Sequence, residues 1–214
     1  LARMPKPAPR QGPGRPKDLD KRAAVLTAAK TLFAQRGFDS VSMEAIATAA
    51  GVSKLTVYSH FTDKDTLFQA AVRSKCEEAL PESVFDVSLR GDVRERLRAI
   101  ARGFHQLVMS DESLGLHRLL IAQGASNTKL VELFYDSGPR RVISAFQTFL
   151  QGAQQSGELD IPDPARAASH FFCLLKGEGH MLQLLGCPLC VTSCDPQQHI
   201  DSVLELFLRA YLPR

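Results

Sequence analysis

Apolar residues recur along most of the chain with a period near 3.6, the spacing that lines one face of a helix. Val25, Ala28, Ala29 and Leu32 fall at i, i+3, i+4 and i+7 and predict a helix from about Leu19, closed at Gly37. Ser42 precedes a short run, Met43 to Ala50, that stops at Gly51, and Ser53 opens a second short run ending near Phe61. Asp63 suits the N-cap of a helix from Lys64 to about Leu80, where Pro81 ends it. Beyond Gly91 the runs lengthen. Leu97, Ile100, Ala101, Phe104, Leu107 and Val108 make one apolar face from Asp92 to Met109, and Leu116, Leu119 and Leu120 mark the next helix. Leu130 to Asp136 and Val142 to Gln155 flank Gly138-Pro139, where a break or kink is expected. Ala167 to Leu185 is apolar over most of its circumference, which predicts burial on several sides. Val203, Leu206, Phe207 and Ala210 give a last helix. No segment reads as a strand. The pattern predicts an all-α chain of about nine helices without internal repeat.

Residues 1–17 break this pattern: prolines, glycines and scattered Lys/Arg predict a disordered basic arm with little apolar surface to bury. The net charge of +3 is unevenly spread. Residues 1–75 hold 13 Lys/Arg against 6 Asp/Glu, and the remainder 13 against 17. A basic N-terminal third on an acidic remainder suits a polyanion-binding head. No apolar run reaches the roughly 18–20 residues that span a bilayer, and Leu1 to Arg10 lacks the apolar stretch of an export signal. A cytoplasmic protein without a membrane partner is expected. An odd count of five cysteines fits that reducing compartment better than a disulfide framework.

Ser42 to Phe61, SMEAIATAAGVSKLTVYSHF, carries the richest chemistry. Two short helices that cross steeply need a small residue where they approach, a turn that tolerates positive φ, and an apolar plug between them. Ala47, Gly51 and Val57 supply these at helix-turn-helix spacing, and Ser53 caps the second helix.

The stretch from Arg22 to Leu67 resembles the DNA-binding domain of the tetracycline-repressor (TetR) family. Gly37-Phe38, Ser42, Ile46-Ala47, Ala50-Gly51-Val52-Ser53, Tyr58, Phe61, Lys64 and Leu67 match the family pattern in order. Leu55 departs from it, standing where glycine or alanine is common; a larger side chain there either meets a thymine methyl or alters helix docking. The resemblance implies a three-helix head over 18–63 and a ligand-binding and dimerisation domain over 64–214. It implies that Ser53, Lys54, Leu55 and Thr56 start the helix that faces base edges in the major groove. Tyr58 and His60 would meet phosphate or sugar; the competing readings are core packing for Tyr58 and a solvated surface histidine for His60. Ser42 and Met43 sit at a helix N-terminus suited to a phosphate oxygen, and Lys64 near the DNA backbone. Arg10, Arg15 and Lys17 would follow the minor groove or phosphates.

The C-terminal part resembles the AefR-like branch of that family in RLLIAQ (118–123), FYDSGPRRV (134–142) and FFCLLKGEGHMLQLLG (171–186), with a departure at Gln123, where an acidic residue is common. The expected function is a sequence-specific regulator, a homodimer on palindromic double-stranded DNA, released from it as a repressor by a small-molecule effector. Polar residues amid apolar helix faces are the pocket candidates: His105, His117, Gln123, Tyr135, Gln147 and His170. The last two helices, about 163–185 and 196–212, would pair with their twofold mates. Cys187, Cys190 and Cys194 form a CxxCxxxC cluster that reads as plain loop thiols, a thiol switch, or a weak zinc site completed by His180 or His199. The alternative function is therefore redox or metal sensing through that cluster. Cys76 and Cys173 read as small helix residues. No nucleophile–base spacing calls for an enzyme, and no motif for a cofactor.

Overall fold

Side-chain caps decide where most of the helices begin. Ser42 accepts from the Ala45 amide, Ser53 from Thr56, Asp63 from Thr66, Asp92 from Arg94, Ser110 from Ser113 and Asn127 from Leu130. Asp163 and Asp195 do the same for the last two helices, each followed by proline in the first turn. Each cap satisfies an amide with no partner inside its helix, worth about 1 kcal/mol.

The computed structural model describes residues 15–86, 91–187 and 195–213. They form ten α-helices, in line with the expected all-α chain, and no strand among the described residues. In order these are α1 (Arg15–Arg36), α2 (Met43–Ala49), α3 (Lys54–His60), α4 (Lys64–Ala79), α5 (Val93–Met109), α6 (Asp111–Gln123), α7 (Thr128–Ser137), α8 (Pro139–Gln155), α9 (Pro164–Leu184) and α10 (Pro196–Tyr211). A single 3-10 turn, Glu82–Phe85, follows α4. α1 starts at Arg15, so the last three residues of the expected basic arm are helical backbone, with Pro16 in the first turn where its missing N–H is harmless. Arg10 and the rest of the arm lie outside the described residues.

Two apolar clusters divide the chain. One joins Val25, Ala29 and Phe33 of α1 to Ile46, Ala47, Val57, Leu67 and Phe68, and takes in Leu120 and Leu130 from α6 and α7. The other is built on Leu97, Ile100, Phe146, Phe149, Phe171, Leu175 and Phe207 from α5, α8, α9 and α10. α4 serves both: Val72 belongs to the first, while Cys76 and Ala79 pack on the second one turn later. The core of the head thus runs past residue 63, where its boundary was expected.

The expected break at Gly138-Pro139 separates α7 from α8. A second interruption carried no expectation. Gly177 inside α9 has φ 56° and ψ −169°, a conformation closed to residues with a Cβ, and the His199 ring fills the space beside it. The burial expected of α9 on several sides falls mainly on one face of the single chain. Ala167, Ala168, Phe171, Phe172 and Leu175 are buried, but Cys173, Leu174 and Met181 on its other side are exposed in the single chain.

α4 and α5 approach closely at Gly103, where a Cβ would stand 2.5 Å from the Ala79 carbonyl oxygen and 2.9 Å from Leu80 Cδ2. Backbone cannot yield as a flexible side chain does. Gly103→Ala should therefore destabilise the chain by about 1–3 kcal/mol, read as a lowered midpoint in urea with an unchanged slope.

Candidate DNA-reading helix and internal cavity

The geometry between α2 and α3 follows the three positions singled out in the sequence. Ala47 and Val57 are buried between the helices, and Gly51 takes φ +65° in the turn. Backbone bonds from Gly51 N–H to Thr48 O (3.2 Å) and from Val52 N–H to Ala47 O (3.0 Å) close it.

α3 presents Lys54, Leu55 and Tyr58, at i, i+1 and i+4, on one outward face. Leu55 is 80% exposed and Tyr58 45% exposed, so neither packs in the core, and the larger Leu55 does not alter how α3 docks. Lys54 Nζ stands 3.6 Å from Glu44, an exposed ion pair that costs little to exchange for a phosphate. Ser42 and Ser53 are exposed and occupied as caps. The Thr56 hydroxyl shares a 2.9 Å hydrogen bond with Ser53 Oγ, which ties it to the start of α3.

The remaining expected contacts divide. Met43 is the first residue of α2, at the helix N-terminus expected to suit a phosphate, and its side chain is buried because it continues the inward stripe of Ile46 and Ala47 at i+3 and i+4. His60, at i+3 from Val57, lies towards the inward side of α3. Its side chain is only 11% exposed and turns towards α1, with Nε2 3.1 Å from the Asp18 carboxylate. Helical spacing alone carried both signals. Lys64 donates to the Phe38 carbonyl (3.0 Å) with its ammonium 4.3 Å from the Phe38 ring centroid, fastening α4 to the turn after α1. Arg15 and Lys17 lie in the first turn of α1, and their side chains are outside the described set.

A cavity of about 690 Å³, its open mouth included, lies where the two apolar clusters meet. Val72, Leu116 and Phe134 line it from the head side. Phe104, Leu107, Val108 and Phe172 line it from the other cluster, with Ile143 and Pro139 of α8. Its polar groups are few: Ser113, His117, Cys76, and the lysines Lys75 and Lys176. Apolar walls with sparse polar groups are the usual make-up of a small-molecule site.

Of the six pocket candidates only His117 lines this cavity. Burial, then the charges of His180 and Lys176, push its pKa down to about 4, so it is neutral at pH 7. Its ring stands edge-on to Phe134 (5.4 Å) and to His180 (5.7 Å), and its Nδ1 is buried with no hydrogen-bond partner. His105 lies 6.2 Å from His199, away from the cavity, its pKa lowered by burial and then by His199. Gln123 sits beside Gly37 at the end of α1, Tyr135 is a surface ring under Arg140, and His170 is exposed. Gln147 is half-buried on α8 and lines no cavity among those described. Sequence reasoning passed over Cys76 and Lys176. Burial holds the Cys76 thiol up to about 11, so it stays protonated and is a poor nucleophile.

In the cysteine cluster, Cys190 and Cys194 lie outside the described residues. His199 spends Nε2 on the Leu175 carbonyl at 3.1 Å. Among the described residues no three His, Cys, Asp or Glu side chains converge as metal ligands, and no helix is long and apolar enough to cross a membrane.

Residues 25–71 match the family described as bacterial regulatory proteins, tetR family, and residues 95–213 match the AefR-like transcriptional repressor C-terminal domain. The chain is 32% identical over 102 residues to the HTH-type transcriptional activator FasR of Mycolicibacterium smegmatis, covering 48% of this chain and 46% of FasR. It thus spans about half the length of FasR. It is 30% identical over 148 residues to the HTH-type transcriptional regulator YdeS of Bacillus subtilis, covering 68% of this chain and 71% of that protein. Among solved structures, a TetR-family regulator from Mesorhizobium loti superposes with TM-score 0.74 at 32% identity, covering 92% of this chain and 99% of the other. The Flavonoid-responsive Regulator FrrA superposes with TM-score 0.67 at 33% identity, covering 91% and 98%.

Proposed function

Because the chain belongs to the TetR family of DNA-binding transcriptional regulators, we propose that it is a homodimeric repressor whose hold on a palindromic operator is loosened by a small molecule in the cavity beneath α4. The head is α1–α3 with the first half of α4; the remainder carries effector and partner. Lys54, Leu55 and Tyr58 read the major groove. Two heads must meet half-sites about 34 Å apart, so a small change in their separation loses the second head.

The observation that carries this reading is the double membership of α4. Val72 belongs to the core of the head and also walls the cavity, and Cys76 walls it from the next turn. An occupant that displaces α4 moves the head with it. The size of the response is set by the ligand's difference in affinity for the two arrangements. FrrA, whose name records a response to flavonoids, is a relative of this shape and supports ligand response as the mode.

Dimerisation is supported by what a single chain leaves uncovered. Leu174, Met181 and Leu185 at α9, with Leu206 and Leu212 at α10, are large apolar side chains between 39% and 73% exposed. A twofold partner covers such a face with its own copy of it.

Gly138 gives a test that needs no ligand. A Cβ there would stand 3.0 Å from Val72 Cγ1 and 3.2 Å from Cys76 Sγ, so added bulk presses on α4 at the two residues an effector would touch. Gly138→Ala should weaken operator binding roughly ten-fold, and Gly138→Val further, while the chain stays folded and dimeric. Full operator affinity in a folded Gly138→Val dimer would sever the link between α4 and the head.

A further inference from the structure

The cavity differs from a plain apolar pocket in where its charge lies. Both of its cationic side chains are lysines, and they are not equivalent. Lys75 is spent on Glu112 in an ion pair across α4 and α6. Lys176 lines the same cavity from α9, and among the described residues no carboxylate pairs with it. Its ammonium acts on the interior: it helps to lower the pKa of both His117 and His180, after burial in each case. An unpaired cation beside a neutral, apolar chamber favours an anionic group at that point and disfavours a cationic one. Deeper in, His117 offers a buried Nδ1 without a partner. A neutral imidazole carries one N–H, which an oxygen of an acidic head group accepts when Nδ1 holds the proton. Around these stand Phe104, Phe134 and Phe172, the wall an aromatic or alkyl body needs.

We infer that the occupant of the cavity is an amphipathic organic acid, its apolar body among the three phenylalanines and its anionic head between Lys176 and His117. This rests on the reading of the cavity as the effector site and adds the ligand's charge and shape. An ion pair with Lys176, which is exposed to solvent at the cavity mouth, adds little alone; with the hydrogen bond from buried His117 to a charged acceptor it gives the acid about a ten-fold advantage over a neutral ligand with the same body.

Matched probes test it on the full-length dimer. Naphthoate, naphthylmethanol and naphthylmethylammonium share one body and differ in charge, and octanoate, octanol and octylammonium repeat the series with an alkyl body. Calorimetry at pH 7.5 should rank each series acid, then alcohol, then amine. Lys176→Met, which keeps the apolar stem, should bring the acid down to the alcohol, and Ile143→Trp should abolish binding by filling the chamber. An alcohol that binds as tightly as its acid, an acid preference that survives Lys176→Met, or no binding by any probe overturns the inference. Operator release is scored separately. Acid-selective binding lost in Ile143→Trp but without release leaves the acid assignment standing and removes the effector reading; alcohol-selective binding with release does the reverse.

Discussion

A chain carrying Lys54→Ala and Tyr58→Ala binds its operator on the order of 100-fold more weakly than the parent and melts at nearly the same temperature. Both side chains stand out from α3, and the single ion pair broken, Lys54 with Glu44, is exposed on both sides. Nothing in the core depends on either residue, so stability should be spared. A base-edge or phosphate contact is worth about 1–3 kcal/mol, and two of them account for the loss. Fluorescence anisotropy on a labelled operator, paired with a calorimetric melt, separates recognition from folding. Thr56→Ala is the informative control, because the Thr56 hydroxyl is bonded to the Ser53 cap and its removal acts through the start of α3. A double variant that holds the operator as tightly as the parent would place recognition on some other surface.

The second large effect is on stability against pH, and it comes from His117. Its pKa in the fold is about 4, while an unfolded histidine titrates near 6.5. Between these values the unfolded chain holds a proton that the folded chain does not. Stability is therefore full above about pH 6.5, falls as the pH drops, and has lost the whole contribution below about pH 4. The gap corresponds to roughly 3 kcal/mol over the full window and about 2 kcal/mol at pH 5. His180 is lowered in the same direction, first by burial, and steepens the fall. His117→Phe puts an apolar ring of similar size beside Phe134 and removes the group. At pH 5 it should melt roughly 4–8 °C above the parent, with little difference at pH 8. Parallel melting curves for the two chains across that range would show that His117 is not buried as described.

The two halves of the functional reading were not equally legible in the sequence. The head was, because its determinants are local. Ala47, Gly51 and Val57 lie within eleven consecutive residues, Ser42 and Ser53 cap the helices they precede, and each of these roles holds in the fold. Its error at His60 came from helix phase. His60 lies at i+3 from Val57, on the side of α3 that faces inward, and the spacing already said so. The cavity was hardly legible at all. Its wall comes from α4, α5, α6, α7, α8 and α9, and no local pattern marks residues that meet only after those helices pack. His117 was found as a polar break in an apolar face. Lys176 drew no reading and Cys76 read as a small helix residue, and only tertiary packing sets them on one chamber. The apolar circumference of α9 predicted burial on several sides, and within one chain only part of it is buried. Its exposed half is the surface proposed to meet a second copy.

The central claim is that a dimer reads a specific operator through α3, and selection of bound sequences from a random DNA pool tests it most directly. The account predicts enrichment of a palindrome whose half-sites are centred about one helical turn, roughly 34 Å, apart. It also predicts binding at least about a thousand-fold tighter than to random DNA at the same salt concentration. A pool that stays random, or affinity for unselected DNA within a few-fold of the best selected site, would contradict it.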